Sequence, residues 1–227
     1  MSKVALLDGD IYVYRVGFAC EEEDDEAIVA RTLRLFITDI LLELDDVEDY
    51  QVYITGKGNF RNEYAITAGY KENRKDMQKP KWYNFIREQL INDWEAHVTE
   101  GQEADDAIAI EATRLGDNCI IVSIDKDFNQ IKGWKYNFVK KELYYVSEDE
   151  GLLNFYCQFL EGDKVDNIIG VKGIGPVKAR GLLEGKTAKE MYEVCVEKLG
   201  SEERAIENGR LLFLRREPEQ IWEPPSV

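Results

Sequence analysis

Histidine is nearly missing from this chain: His97 is the only one in 227 residues. A multi-histidine metal site is thereby excluded. The four cysteines, Cys20, Cys119, Cys157 and Cys195, lie far apart and form no CxxC pair. A zinc cluster or a disulfide framework does not fit that spacing, whereas a reducing cytoplasm does. No apolar run approaches the roughly 20 residues of a membrane span, and the opening MSKVALLDGD carries no secretory pattern. The expectation is a cytoplasmic protein with no membrane partner. Internal repeats and low-complexity linkers are absent too. So is an excess of positive charge: 45 acidic against 29 basic residues leave a net charge of −16. That argues against a sequence-blind coat on a polyanion.

The charge that is present is unevenly spread. Residues 1–56 hold 4 basic and 14 acidic groups, and residues 91–130 hold 2 and 10. Between and after them lie two basic islands, residues 57–90 with 8 basic and 4 acidic groups, and residues 163–189 with 6 and 3. Basic islands in an acidic chain suit a grip on a polyanion beside a cation-filled pocket. An apolar content of 44% is ordinary for a globular protein, and the length allows one compact domain with a small appendage.

Val4-Ala5-Leu6-Leu7 reads as a buried parallel strand that presents Asp8 at its C-terminal end, followed by Gly9-Asp10. Ala27 to Leu44 has helical periodicity, and Gln51 to Thr55 is a second strand. A loop runs through Gly56-Lys57-Gly58-Asn59-Phe60-Arg61, and a basic stretch follows at Tyr70 to Lys75. Trp82 to Trp94 reads as a helix, Ala96 to Thr99 as a short strand, and Glu103 to Ala112 as a helix with acids in its first turn, where the helix dipole favours them. Cys119 to Ile124 is another buried strand, ending in Asp125-Lys126-Asp127. Tyr136 to Val139 and Glu142 to Val146 predict a hairpin or edge strand. Ser147 with Glu150, and Thr187 with Glu190, are capping-box patterns that open helices. A last helix spans Arg204 to Leu214, before a tail that is loose or pinned by Trp222. Alternating strands and helices followed by helices alone predict an α/β fold, a parallel sheet flanked by helices with a helical C-terminal part. The division expected is residues 1–146 and 147–227.

Between the predicted helices lies GDKVDNIIGVKGIGPVKA, Gly162 to Ala179. Asp163 and Asp166, three apart, would share one face of a helix. Gly170, Gly173 and Gly175 mark a tight turn with exposed backbone, and Pro176 suits the first turn of a new helix. Free N–H groups on such a turn make a phosphate site, with Lys172, Lys178 and Arg180 beside it. The plainer account is a glycine-rich turn between packed helices. The acidic pair next to it favours the phosphate site.

Asp8, Asp125 and Asp127 fall just past strand ends, and Glu103, Asp105 and Asp106 at a helix start after another strand. In a parallel sheet these ends share one edge, over which Asp163 and Asp166 could close. Carboxylates so crowded repel by ~1 to 4 kcal/mol per close pair and stay ionised together only with cations among them. All-oxygen donors suit Mg²⁺ or Mn²⁺, and two such ions suit phosphodiester hydrolysis.

Asp8-Gly9, Tyr70-Lys71-Glu72-Asn73-Arg74, Glu103-Ala104-Asp105-Asp106, Ser123-Ile124-Asp125-Lys126-Asp127 and Gly162 through Ala179 together resemble the 5′→3′ exonuclease/flap-endonuclease family of phages and bacteria. They occur in family order over most of residues 4–180, and the last block is the most specific. The resemblance implies a PIN-like core and a helix-hairpin-helix element that grips duplex DNA. It implies two Mg²⁺ (or Mn²⁺) held by Asp8, Glu103, Asp105, Asp106, Asp125, Asp127, Asp163 and Asp166, with a K⁺ at the helix-hairpin-helix. Lys71 and Arg74 match residues that contact the scissile phosphate, and Tyr70 one that stacks on a terminal base. Gly170, Lys172, Gly173, Gly175, Lys178 and Arg180 match the duplex grip. In two places the chain departs from the family. The metal-site acid usual after the second strand is missing at Thr55-Gly56-Lys57-Gly58, which leaves Asp10 as a candidate replacement or one metal bound more weakly, and the span after Tyr70 is short. The last ~40 residues match the family only in being helical.

The resulting expectation is a monomeric, divalent-metal-dependent 5′ nuclease acting on DNA with a duplex next to a 5′ end, in a bacterial or phage-infected cell. Its rivals are a ribonuclease of the same core acting on RNA/DNA hybrids, a non-catalytic nucleic-acid-binding relative, and a metal-dependent phosphatase. A phosphatase has no use for two basic islands and a glycine hairpin.

Overall fold

A computed structural model of the chain describes residues 3–225. They form two compact units, one of residues 3–58, 78–125 and 133–145, the other of residues 59–77, 126–132 and 146–225. No helix among the described residues is long and apolar enough to cross a membrane.

The first unit contains, in chain order, β1 (Lys3–Asp8), α1 (Gly9–Ala19), α2 (Glu26–Leu42), β2 (Val47–Lys57), α3 (Tyr83–Asp93), β3 (His97–Glu100), α4 (Ala104–Leu115), β4 (Cys119–Val122), β5 (Gly133–Asn137) and β6 (Glu142–Val146). The sheet order is β3-β2-β1-β4-β5-β6. The pairs β3–β2, β2–β1, β1–β4 and β4–β5 are parallel. This is the expected α/β sheet flanked by helices. Ala5, Leu6 and Leu7 are fully buried, as a central parallel strand covered on both faces requires. From β1 the sheet grows one way through β2 and the other way through β4. The C-terminal end of β1 is therefore a topological switch point, where open α/β sheets place their ligands.

The sequence reading left one element of this unit out and began another too late. Gly9–Ala19 is a helix. Its buried face is Tyr12, Val13 and Val16, residues whose stiff side chains favour strands as readily as helices. A Cβ on Gly9 would stand 2.7 Å from the Tyr53 carbonyl oxygen, so glycine is needed for the helix to start against β2. The strand expected from Tyr136 begins earlier, at Gly133, and pairs with β4 through Trp134, Lys135 and Tyr136. Lys135 hid it: a lysine in a strand reads as surface, yet it is buried and its Nζ turns back to the Gly133 carbonyl at 3.2 Å.

The second unit holds α5 (Glu148–Glu161), the two-residue strands β7 (Gly162–Asp163) and β8 (Ile168–Ile169), α6 (Pro176–Leu183), α7 (Ala188–Leu199) and α8 (Glu202–Leu212). Both capping residues do what the sequence suggests: Ser147 Oγ accepts from the Glu150 N–H, and Thr187 with Glu190 closes a full capping box. Phe155, Phe159 and Tyr192 surround Trp222, with ring centroids 5.3 to 5.8 Å from it. The tail is thus pinned, and each such burial contributes about 2 kcal/mol or more. Arg61 is the largest fully buried side chain. Its Nε and Nη2 donate to the carbonyls of Leu211 (2.8 Å) and Phe213 (2.7 Å), which ties residues 59–77 to the end of α8.

Asp163 and Asp166 do not lie on a helix. Asp163 ends β7, which pairs antiparallel with β8, and residues 164–167 form the turn between the two strands. The Asp163 carboxylate accepts from the N–H groups of Val165 (2.7 Å) and Asp166 (3.2 Å), so the aspartate builds the turn. The strands close because Gly162 and Gly170 let backbone meet backbone. A Cβ on Gly170 would lie 2.3 Å from the Glu161 carbonyl carbon, and one on Gly162 2.3 Å from the Gly170 nitrogen. Gly175 has open space around it. Gly170→Ala is therefore expected to destabilise the protein by about 1–3 kcal/mol, and Gly175→Ala by no more than about 1 kcal/mol. Chemical denaturation of the two variants checks the order.

Candidate functional site

The parallel strands of the first unit bring a set of acids to one edge of the sheet. Asp8 ends β1 and caps α1, accepting from Ile11 N–H at 3.4 Å. Its other oxygen accepts from Ser123 Oγ at 2.8 Å, just past β4. Asp10 lies in the first turn of α1, and both its oxygens accept from the Thr55 N–H near the end of β2, at 3.2 and 3.1 Å. Glu103 and Asp106 form a capping box at the start of α4 with Asp105 between them, and Asp106 is fully buried. Asp125 follows β4, its N–H donating to Ser123 Oγ at 3.0 Å.

Burial first, then the charges of Asp10 and Asp125, push the Asp8 carboxyl up to about 7 against the hydrogen bonds from Ser123 and Ile11. Burial also raises Asp10, with Glu103 adding to it and Thr55 and Arg87 opposing it. These carboxylates crowd one another without enough positive charge among them, the condition a divalent cation relieves. The donors are all oxygen, as Mg²⁺ and Mn²⁺ prefer. As the side chains stand, no three His, Cys, Asp or Glu among the described residues converge closely enough to hold an ion. The oxygens of Asp8, Asp10, Glu103 and Asp106 are engaged by Ser123, Thr55 and backbone N–H groups instead. Charge and donor type fit the metal.

The other predicted acids belong to the second unit. Asp127 accepts from Gln158 Nε2 at 2.6 Å. Asp163 is paired with Lys126 Nζ at 3.0 Å. Burial pulls its carboxyl upward, but Lys126 and the turn N–H groups outweigh that and hold it below the ordinary value. Asp166 gathers the basic stretch: Arg74 Nη2 lies at 3.0 Å, Lys71 Nζ at 3.6 Å, and the Tyr70 hydroxyl donates at 2.9 Å. Arg74 Nε and Asn73 also donate to the carbonyls of Val165 and Lys164. Lys71 takes a left-handed backbone conformation, φ 53°, a cost held by this network. Tyr70 is buried in the core of this unit, with Lys71 Nζ 5.2 Å from its ring centroid.

Around the hairpin, Lys172, Gly173, Gly175 and Lys178 are exposed, and Lys178 Nζ reaches the Gly173 carbonyl at 3.5 Å. Arg180 differs. Its guanidinium forks onto Glu150 with two 2.8 Å hydrogen bonds and tethers α6 to the start of α5.

Sequence reasoning assigned no role to Ser123, Thr55 or Arg87. Thr55 holds Asp10 through its N–H, and its hydroxyl accepts from Ala104 N–H at 2.9 Å, at the head of α4. Arg87 donates to the Thr55 carbonyl at 2.8 Å and lies 3.6 Å from Asp10. Position was the one signal for two of them: Ser123 lies two residues before a predicted acid pair, and Thr55 stands next to the missing acid. In the second unit Glu207, buried in α8, accepts from Ile66 and Thr67 N–H at 2.7 and 2.6 Å and anchors the stretch before Tyr70.

The family model described as "5'-3' exonuclease, N-terminal resolvase-like domain" matches residues 3–154. A flap endonuclease Xni of Shewanella denitrificans is 28% identical over 227 residues, covering 92% of this chain and 88% of the relative. Another, of Shewanella sediminis, is 31% identical over 161 residues, and the match spans 62% of this chain and 61% of that relative. A 5'-3' exonuclease of Mycoplasmopsis pulmonis is 26% identical, covering 84% and 69%. Among solved structures, the T5 5'-exonuclease with bound zinc ions superposes with a TM-score of 0.67 at 19% identity, covering 92% of this chain and 89% of that one. The catalytic core of Rad2 in complex with DNA substrate gives 0.51 at 21% identity, covering 85% and 64%. At such identities the two structures show a shared fold, the PIN-like one expected from the sequence. The match over residues 3–154 shows more than fold: this chain belongs to the 5′-3′ exonuclease family, a family of nucleases.

Proposed function

We propose that the chain is a divalent-metal-dependent 5′ nuclease that hydrolyses DNA phosphodiesters close to a duplex 5′ end. The observation that carries this reading is the crowd of carboxylates at the switch-point edge, in which Asp8 is pushed up to about 7 by burial and its acidic neighbours. Two Mg²⁺ or Mn²⁺ ions, when bound, would supply Lewis acidity to the phosphodiester and lower the pKa of an attacking water. Asp8, Asp10, Glu103, Asp105, Asp106 and Asp125 are the oxygen donors of the first unit; in the second unit Asp127 and Asp163 are the further acids of the family pattern, and Asp166 orients Lys71 and Arg74. Ser123 and Thr55 orient Asp8 and Asp10 by hydrogen bonds, as partners of metal ligands do.

Lys71 and Arg74 are the cations for the transferring phosphoryl group. Asp166 holds both in place before substrate arrives, and the Val165 carbonyl holds Arg74 as well, so charge that develops in the transition state meets donors that need no reorganisation. Tyr70 braces Asp166 from the core. The exposed turn with Lys172 and Lys178 offers N–H groups and ammonium charge to duplex phosphates, contacts that position without reading sequence. The DNA bound to Rad2 and the zinc bound to the T5 enzyme support the same reading by analogy.

The test is cleavage of a 5′-overhang duplex and a 5′-flap duplex, each with a DNA or RNA 5′ strand and labelled at both ends, in Mg²⁺, Mn²⁺ or EDTA. Products released from the 5′ side of DNA only when metal is present are expected. Binding without products in either metal would sink the proposal, and preference for the RNA strand would convert it to a ribonuclease. Asp125→Ala and Asp127→Ala are expected to abolish cleavage while duplex binding in Ca²⁺ stays within about threefold of wild type, read by fluorescence anisotropy. Lys71→Ala and Arg74→Ala should each lower kcat by roughly 10²- to 10³-fold with a smaller change in KM, measured under saturating substrate.

A further inference from the structure

We infer that Arg87 is a built-in counter-cation of the acidic edge and sets how tightly that edge takes a divalent metal. The inference rests on the metal-centre reading above and adds a control of its affinity. Arg87 projects from α3 with its side chain only 18% exposed. Its Nη2 donates to the Thr55 carbonyl at 2.8 Å, and its Nη1 lies 3.6 Å from Asp10 Oδ1. Asp10 in turn accepts the Thr55 N–H with both oxygens. Aspartate, strand end and guanidinium therefore close a ring. The Thr55 hydroxyl joins this ring to the first turn of α4, where Glu103, Asp105 and Asp106 stand.

A guanidinium is ionised at every working pH. Held beside Asp10, it offsets one negative charge of the edge while no metal is bound, which lowers the cost of keeping the carboxylates together. The same charge repels an incoming cation. With water-like screening, one unit charge roughly 6–12 Å from a divalent ion changes its affinity by about three- to tenfold. The Thr55 carbonyl keeps the guanidinium from swinging away, so the repulsion persists when metal arrives. Arg87 acts here through Asp10 and the field of the edge. It is a positioning residue.

The test is calorimetric titration of the full chain with Ca²⁺ and with Mn²⁺, without nucleic acid, for wild type, Arg87→Gln, Arg87→Met and Arg87→Lys. Arg87→Gln and Arg87→Met are expected to bind Ca²⁺ about three- to tenfold more tightly than wild type, and Arg87→Lys within twofold of it. In thermal melts the two neutral variants should lose stability in EDTA and regain more of it than wild type on adding Ca²⁺. Arg87→Met keeps the aliphatic stem and serves if Arg87→Gln folds poorly. Unchanged or weaker Ca²⁺ binding in both neutral variants would overturn the inference, since Arg87 would then be scaffolding for Thr55. A wild-type chain that takes up neither ion would overturn the metal-centre reading itself, a different failure from equal binding by wild type and variants.

Discussion

Burying carboxylates side by side is unfavourable in the absence of cations, and the first unit does so at the end of its central strand. Asp8 could have been any small polar residue if it served only to cap α1. It is instead an acid, buried, faced by Asp10 and Asp125, and raised to about 7. The surrounding structure concentrates on that point. β1 is central in the sheet, the chain reverses its direction of sheet growth there, and α1 and α4 begin there. Ser123, Thr55 and Arg87 each spend a hydrogen bond or a charge on holding the acids in place.

The second unit solves a related problem with opposite charges. Asp166 is surrounded by Tyr70, Lys71 and Arg74, and Asp163 by Lys126 and two backbone N–H groups. Here the carboxylates are satisfied, and the basic residues gain a fixed geometry from them. The backbone contact of Gly162 with Gly170 makes this possible. It closes the β7–β8 turn tightly enough that the 164–165 carbonyls can accept from Asn73 and Arg74. Lys71 gives up a relaxed backbone for the same network.

Much of this was legible in the sequence. Buried runs such as Val4 to Leu7 and Cys119 to Val122 announce parallel strands, and the acids directly after them announce a sheet edge of one sign. Ser147 and Thr187 announce helix starts. Three glycines before Pro176 announce a turn and a new helix. In each case the signal lies within a few residues. Illegible elements have signals that compete or mislead: α1 is rich in residues that suit strands equally well, and β5 carries a lysine that the fold buries. The spacing of Asp163 and Asp166 suggested one helix face, yet Asp163 uses its own carboxylate to make a turn, a competition that short polar side chains win when glycine precedes them.

By itself, the sequence determined which residue types end each strand, where helices start, and that acids and glycines cluster in family order. Local periodicity, capping chemistry and backbone sterics decide those features. The tertiary structure alone decided that Asp10 meets Thr55, 45 residues away, that Arg87 reaches the same strand end, and that Asp166 gathers Tyr70, 96 residues before it. The first two pairings follow from strand order and register, the third from the turn between β7 and β8. A shift of one residue along β1 or β2 would turn the same side chains to the other face of the sheet.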